Sequence, residues 1–146
     1  MSPAAPAASG YSGTPLAQKL GLKDGQRVLF LELPKSLAEL ASSRDFVAAE
    51  QAGWSALDKA RDFDYVHGFT ASRAVMEDNA KALMAAIRRD GMVWISWPKK
   101  ASKVKTDITE DVIREVLLPI GLVDVKVAAV DEIWSGLKLM IRRELR

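Results

Sequence analysis

The stretch Arg27–Leu33 (RVLFLEL) constrains this chain more than any other. Val28, Leu29, Phe30 and Leu31 follow one another with no polar residue between them. The run is entered through a Lys23-Asp24-Gly25 turn and left at Pro34. An unbroken apolar run of strand length between such signals predicts a strand buried on both faces, as in a parallel sheet covered by helices. Phe63–Phe69 (FDYVHGF) and Met92–Trp97 (MVWISW) repeat the signal.

Helical signals lie between these runs. Thr14 as N-cap, Pro15 at the first helical position and Gly21 just past the end bracket a short helix, with Leu16 and Leu20 on one face. Ser36 is placed to cap a second short helix through Leu37 and Leu40. From Ser42 to Arg61 the pattern is ambiguous, and Asp45–Ala49 reads either as a strand or as an alanine-rich helical piece. Ser72 caps a helix whose stripe is Met76, Ala80, Leu83, Met84 and Ile87, with Arg88 and Arg89 in its last turn and Gly91 ending it. Asp107 followed by Glu110 resembles a capping box ahead of the stripe Ile108, Val112, Ile113, Val116, Leu117 and Ile120, which stops around Pro119–Gly121. The period then becomes two. Val123, Val125 and Val127, then Leu137, Leu139 and Ile141, alternate with polar residues and predict an antiparallel hairpin across the loop Asp131–Gly136.

Composition narrows the chemistry. A chain of 146 residues fits one domain, and we divide it into an Ala/Pro/Ser-rich disordered tail over residues 1–10 and one α/β domain over 11–146. The absence of cysteine excludes disulfides, thiolate nucleophiles and cysteine metal sites. A single histidine, His67, excludes multi-histidine metal sites, and no loop has calcium-binding spacing, so no metal is expected. A net charge of +2 argues against a nucleic-acid partner. No secretory signal and no membrane span are legible, so a cytoplasmic protein is expected.

Buried strands alternating with helices and closed by a hairpin resemble the Rossmann-like methyltransferase fold. The phrases that carry the resemblance are LGLKDGQRVLFLEL, FDYVHGF, IRRDGMVWISW, LLPIGLVDVKV and GLKLMIRR. Too few residues separate Leu40 from Phe63 for the usual third strand and its helix, so the fold class expected is a trimmed, three-layer α/β sheet, mostly parallel, with a C-terminal antiparallel hairpin. GYSGTPLAQKLGLK, WPKKAS, TDITEDVIREV and GLVDVKVAAVDEIWSGLK together are similar to an uncharacterised bacterial domain-of-unknown-function family. That resemblance implies a bacterial, cytoplasmic protein and no particular activity.

The methyltransferase resemblance implies an S-adenosylmethionine site, which needs glycines after the first strand and an acidic residue ending the second. The loop here is Glu32-Leu33-Pro34-Lys35-Ser36, without glycine, while Glu50 is a candidate for the acidic position. Pro34 and the bulk of Lys35 and Leu37 oppose close backbone approach, so no cofactor is expected. The clearest polar concentration is the loop Trp97-Pro98-Lys99-Lys100-Ala101-Ser102-Lys103, leaving the carboxyl end of a central strand. Its ammonium groups suit a phosphate, a nucleotide or an acidic protein partner; a solvated loop balanced by Asp107, Glu110 and Asp111 is the simpler reading. Thr70, Ser72 and Arg73 at a helix start, with Lys35 and Ser36 after the first strand, complete the ligand-binding candidates, and capping alone would account for the first three. His67 is placed as a general base, yet no catalytic triad order surrounds it and a packed histidine fits as well. No catalytic residue is assigned. A non-catalytic binding or regulatory domain is therefore expected, with an S-adenosylmethionine-dependent enzyme of atypical cofactor loop as the alternative.

Overall fold

A computed structural model describes residues 15–146. The tail at 1–10, the start of the domain at 11 and the Thr14 cap lie outside the described residues. Among the described residues six strands form one sheet in the order β2-β1-β3-β4-β6-β5. They are β1 (Arg27–Leu31), β2 (Ala48–Ala52), β3 (Phe63–Phe69), β4 (Ile87–Pro98), β5 (Leu122–Ala129) and β6 (Trp134–Ile141). The first four are parallel and β6 runs antiparallel to both β4 and β5. This is the Rossmann-like methyltransferase architecture with its outer strand missing, as the spacing before Phe63 predicts.

Among the described residues three α-helices accompany the sheet: α1 (Leu16–Lys19), α2 (Arg73–Ala86) and α3 (Glu110–Leu117). Pro15 sits at the N-cap of α1, one position before the expected N1. At its other end Gly21 takes φ 81°, with its N–H on Gln18 O (3.1 Å) and the Leu22 N–H on Ala17 O (2.9 Å). That pair of bonds is a Schellman motif, and glycine supplies its left-handed residue without a Cβ penalty.

The sheet divides the core in two. Leu29, Val66, Val93, Ile95, Leu137 and Leu139 face α2 and α3. Val28, Phe30, Tyr65, Phe69 and Trp94 face α1 and a 3-10 helix over Lys35–Ser42.

Several boundaries differ from the sequence reading. β1 ends at Leu31 because Glu32 turns to φ 58°. The segment after it is a 3-10 helix entered directly from Pro34, so Ser36 does not cap it. β2 lies three residues later than Asp45–Ala49, on a sheet edge where exposed polar residues suffice and the pattern is weak. α2 starts as expected, its Ser72 hydroxyl accepting from the Val75 N–H, but it ends at Ala86. Ile87 is already extended, so Arg88 and Arg89 belong to β4, which pairs irregularly with β3 before Met92. Gly91 is no helix cap; a Cβ there would meet Phe63 O at 3.1 Å, so the residue permits close strand approach. Thr109, accepting from the Val112 N–H, caps α3 in place of the expected Asp107 box.

Candidate functional site

In an open α/β sheet the binding crevice lies beyond the carboxyl ends of the strands where the winding reverses. Here the chain steps from β1 out to β2 and then back across β1 to β3, so that point lies between β1 and β3. After β1, Glu32 donates its N–H to Ala52 O (2.9 Å) and its exposed carboxylate leans over Gly53. The chain then runs through Pro34 into a 3-10 helix. No α-helix N-terminus and no glycine turn presents amides to a ligand at this loop.

Trp54 occupies the crevice from the other side. It follows β2, is only 9% exposed, and donates its indole N–H to Phe69 O at 3.1 Å. The edge of its six-membered ring lies so close to Gly68 that a Cβ there would stand 2.3 Å from Cη2 and 2.4 Å from Cζ2. Glu50 does not end β2. It pairs with Leu29 in mid-strand and borders a groove that also takes in Arg27 and Phe63 at the amino ends of β1 and β3.

The other candidates gather one strand further along. The Thr70 N–H donates to Ser96 O (3.1 Å), and Ala71 O accepts from the Thr106 hydroxyl (2.7 Å), tying the start of α2 to the lysine loop. Several of these groups already have internal partners. Thr70 Oγ1 accepts from the Ser72 N–H, and the Arg73 N–H donates to Asp107 Oδ1 at 2.7 Å. The Arg73 guanidinium joins Glu77 and Glu115. Asp107 thus fills the place at the α2 N-terminus where an external anion would sit. Trp97 is 7% exposed and packs into the core beneath α2 and α3, so it offers no surface for a ligand.

The lysines are different. Lys100 and Lys103 are exposed, Lys99 is half-buried, and none of them forms an ion pair with a described residue. The carboxylates proposed to balance them are engaged elsewhere: Asp107 holds the Arg73 N–H, while Glu110 and Asp111 hold Arg114. A short 3-10 turn over Lys100–Ser102 shapes the loop, Lys103 takes φ 61°, and the Lys99 N–H donates to Ile133 O (2.7 Å). Lys35 and Ser36 are exposed beyond β1, on the same edge of the sheet.

His67 is fully buried and stacks on Phe69 at 4.3 Å between ring centroids. Its Nδ1 meets the Tyr65 hydroxyl at 2.8 Å and its Nε2 meets Ser96 Oγ at 2.7 Å. A neutral imidazole donates at one nitrogen and accepts at the other, so both hydroxyls satisfy it in one tautomer. Burial lowers its pKa to about 3 and pushes that of Tyr65 up. A histidine without solvent contact has no substrate within reach; its place is structural. Among the described residues no group of three or more potential metal ligands is present, and no helix is long and apolar enough to cross a membrane.

Solved structures share this architecture. A SAM-dependent methyltransferase from Aquifex aeolicus superimposes with a TM-score of 0.62 at 15% identity, covering 85% of this chain and 86% of that one. An S-adenosylmethionine-dependent methyltransferase from Clostridium acetobutylicum gives 0.59 at 11% identity, covering 84% and 85%. The fibrillarin pre-rRNA processing protein of Methanococcus jannaschii gives 0.55 at 12% identity, covering 91% and 71%. The fold is methyltransferase-like. At such identities the likeness concerns fold alone. No family model matches the chain. No curated protein matches it.

Two features of the edge escape sequence reading. Trp54 lies in the ambiguous stretch, and its only advance signal is Gly68, a glycine inside a buried strand, which marks close approach by another group. The commitment of Asp107 to Arg73 joins residues far apart in the chain and has no local signature.

Proposed function

We propose that this protein is a non-catalytic binding or regulatory domain on a methyltransferase-like scaffold. It holds an anionic small molecule or the acidic surface of a protein partner at the carboxyl edge of the sheet. Lys99, Lys100 and Lys103 supply the charge, with Lys35 and Ser36 on the same edge. The observation that carries this reading is the lysine loop's lack of acidic partners although carboxylates lie close in sequence. Trp54 in the crevice and the glycine-free turn after β1 support the absence of a cofactor. We place the protein in the uncharacterised bacterial family its sequence resembles and in the cytoplasm.

Calorimetric titration with phosphate-bearing ligands and acidic peptides tests the site. Lys99→Ala combined with Lys100→Ala is expected to abolish binding and to move the melting temperature by no more than about 2 °C, as for surface changes worth roughly 0.5 kcal/mol. Retained binding removes the loop from the function.

The second reading is an S-adenosylmethionine-dependent enzyme, favoured by the methyltransferases named above. It requires Trp54 to move off Gly68 when the cofactor enters. Binding of adenosylhomocysteine separates the two readings.

A further inference from the structure

Where a fuller sheet would carry another strand and helix, a 3-10 turn over Trp54–Lys59 alone leads from β2 toward β3. Beneath it opens a groove of about 340 Å³, floored by Leu29 and Phe63 and bordered by Arg27, Lys59, Arg61 and Glu50. It lies on the face covered by α2 and begins at the amino end of β1, away from the carboxyl-edge lysines. Its size is at the lower end of the roughly 300–1,000 Å³ of small-molecule sites.

The charges around it are unmatched. No ion pair joins Arg27, Lys59, Arg61 or Glu50 to a described residue. Arg61 donates to two backbone carbonyls, of Asp58 (2.9 Å) and Ala60 (2.6 Å), and to no carboxylate. Arg27 is the sharper case. Its backbone N–H is held by Asp64 (2.8 Å), so the residue is fixed at the start of β1. Its half-buried guanidinium lies over the Phe63 ring, 5.2 Å from the centroid, and makes no hydrogen bond to any described residue. Nε is buried without an acceptor. A half-buried guanidinium without acceptors is costly, and its fork suits a phosphate or carboxylate.

We propose that this groove binds a small phosphate monoester that also carries a hydroxyl or amino group. Among the side chains lining the groove three cations face one carboxylate, the nearby Asp64 being paired with Arg88, and a phosphate monoester dianion neutralises the two positive charges left. Arg27 takes the phosphate at the amino end of β1, while Lys59 and Arg61 take it from the opposite border. Glu50 is left to accept a hydrogen bond from the organic part, so an ester is preferred over inorganic phosphate. The apolar floor of Leu29 and Phe63 packs against the carbon skeleton.

The test is amide chemical-shift mapping on the full chain with adenosine 5′-monophosphate, glycerol 3-phosphate and inorganic phosphate. Saturable shifts centred on Arg27, Glu50 and residues 56–61 are expected with at least one ester, and weaker ones with inorganic phosphate. Lys59→Ala combined with Arg61→Ala changes only exposed side chains. It is expected to keep the melting temperature and to raise the dissociation constant by at least about tenfold, the effect of losing a charge-assisted contact. Glu50→Gln is expected to narrow the preference for the ester. No saturable shift at millimolar ligand, shifts confined to Lys99–Lys103, unchanged affinity in the double variant, or equal binding of inorganic phosphate would each overturn the proposal.

Discussion

His67 shows how burial converts a reactive residue type into a structural one. Its folded-state pKa of about 3 lies below the ordinary value of 6.5. The native state therefore keeps the imidazole neutral over a range in which the unfolded chain takes up a proton. The resulting stability is fully present above pH 6.5 and is lost as pH falls toward 3, by up to about 1.4 kcal/mol per pH unit. Urea unfolding at a series of pH values checks this: His67→Asn should flatten the acid slope relative to the wild type, and an unchanged slope would place the acid sensitivity elsewhere. Trp54 and Gly68 make a second residue-scale pair. Gly68→Ala is expected to destabilise by roughly 1–3 kcal/mol through overpacking, and Trp54→Ala by roughly 3–5 kcal/mol through lost burial. If Gly68→Ala melts like the wild type, the ring is free to leave the crevice. His67 and Gly68 were both legible as members of a buried strand, whereas Trp54 was not, because its role depends on a strand distant in sequence.

At the scale of elements, local signals were read best where a single residue decides. The Gly21 end of α1 and the Ser72 cap of α2 follow from side-chain and backbone geometry within one turn. α3 shows the limit. Its apolar stripe was legible, but Asp107 looked like its cap while Thr109 holds that place and Asp107 serves α2. Within the stripe Ile113 and Leu117 are fully buried and Val112 only half so. Ile113→Asp should therefore abolish cooperative folding by placing an unpaired charge in the core, with Val112→Asp milder. Thr109→Ala should cost about 1 kcal/mol in thermal or urea melts, the usual loss for an N-cap. A cooperatively melting Ile113→Asp protein would contradict the orientation of α3. The ambiguity around Asp45–Ala49 has a physical cause: an edge strand reading Ala-Ala-Glu-Gln-Ala lacks the burial that gives the inner strands their apolar runs.

For the whole molecule, a mostly parallel sheet closed by an antiparallel hairpin is legible because buried strands and the hairpin differ in period, and the missing outer strand is legible in the short spacing between Leu40 and Phe63. The crevice was legible only as an absence of glycine; what fills it depends on tertiary packing. Trimming the sheet has two consequences. The short connection after β2 brings Trp54 onto Gly68, and the same economy leaves the groove at Arg27 open. The central claim, a methyltransferase-like scaffold without its cofactor, is tested most directly by a thermal-shift titration with adenosylhomocysteine. A ligand at a hundred times its dissociation constant stabilises by about 2.7 kcal/mol, roughly 5 °C or more for a chain of this size. No shift is expected with adenosylhomocysteine, alongside a shift with an anionic ligand that disappears in the Lys99→Ala, Lys100→Ala protein. A saturable shift with adenosylhomocysteine would contradict the claim and make this chain an enzyme whose Trp54 yields to its cofactor.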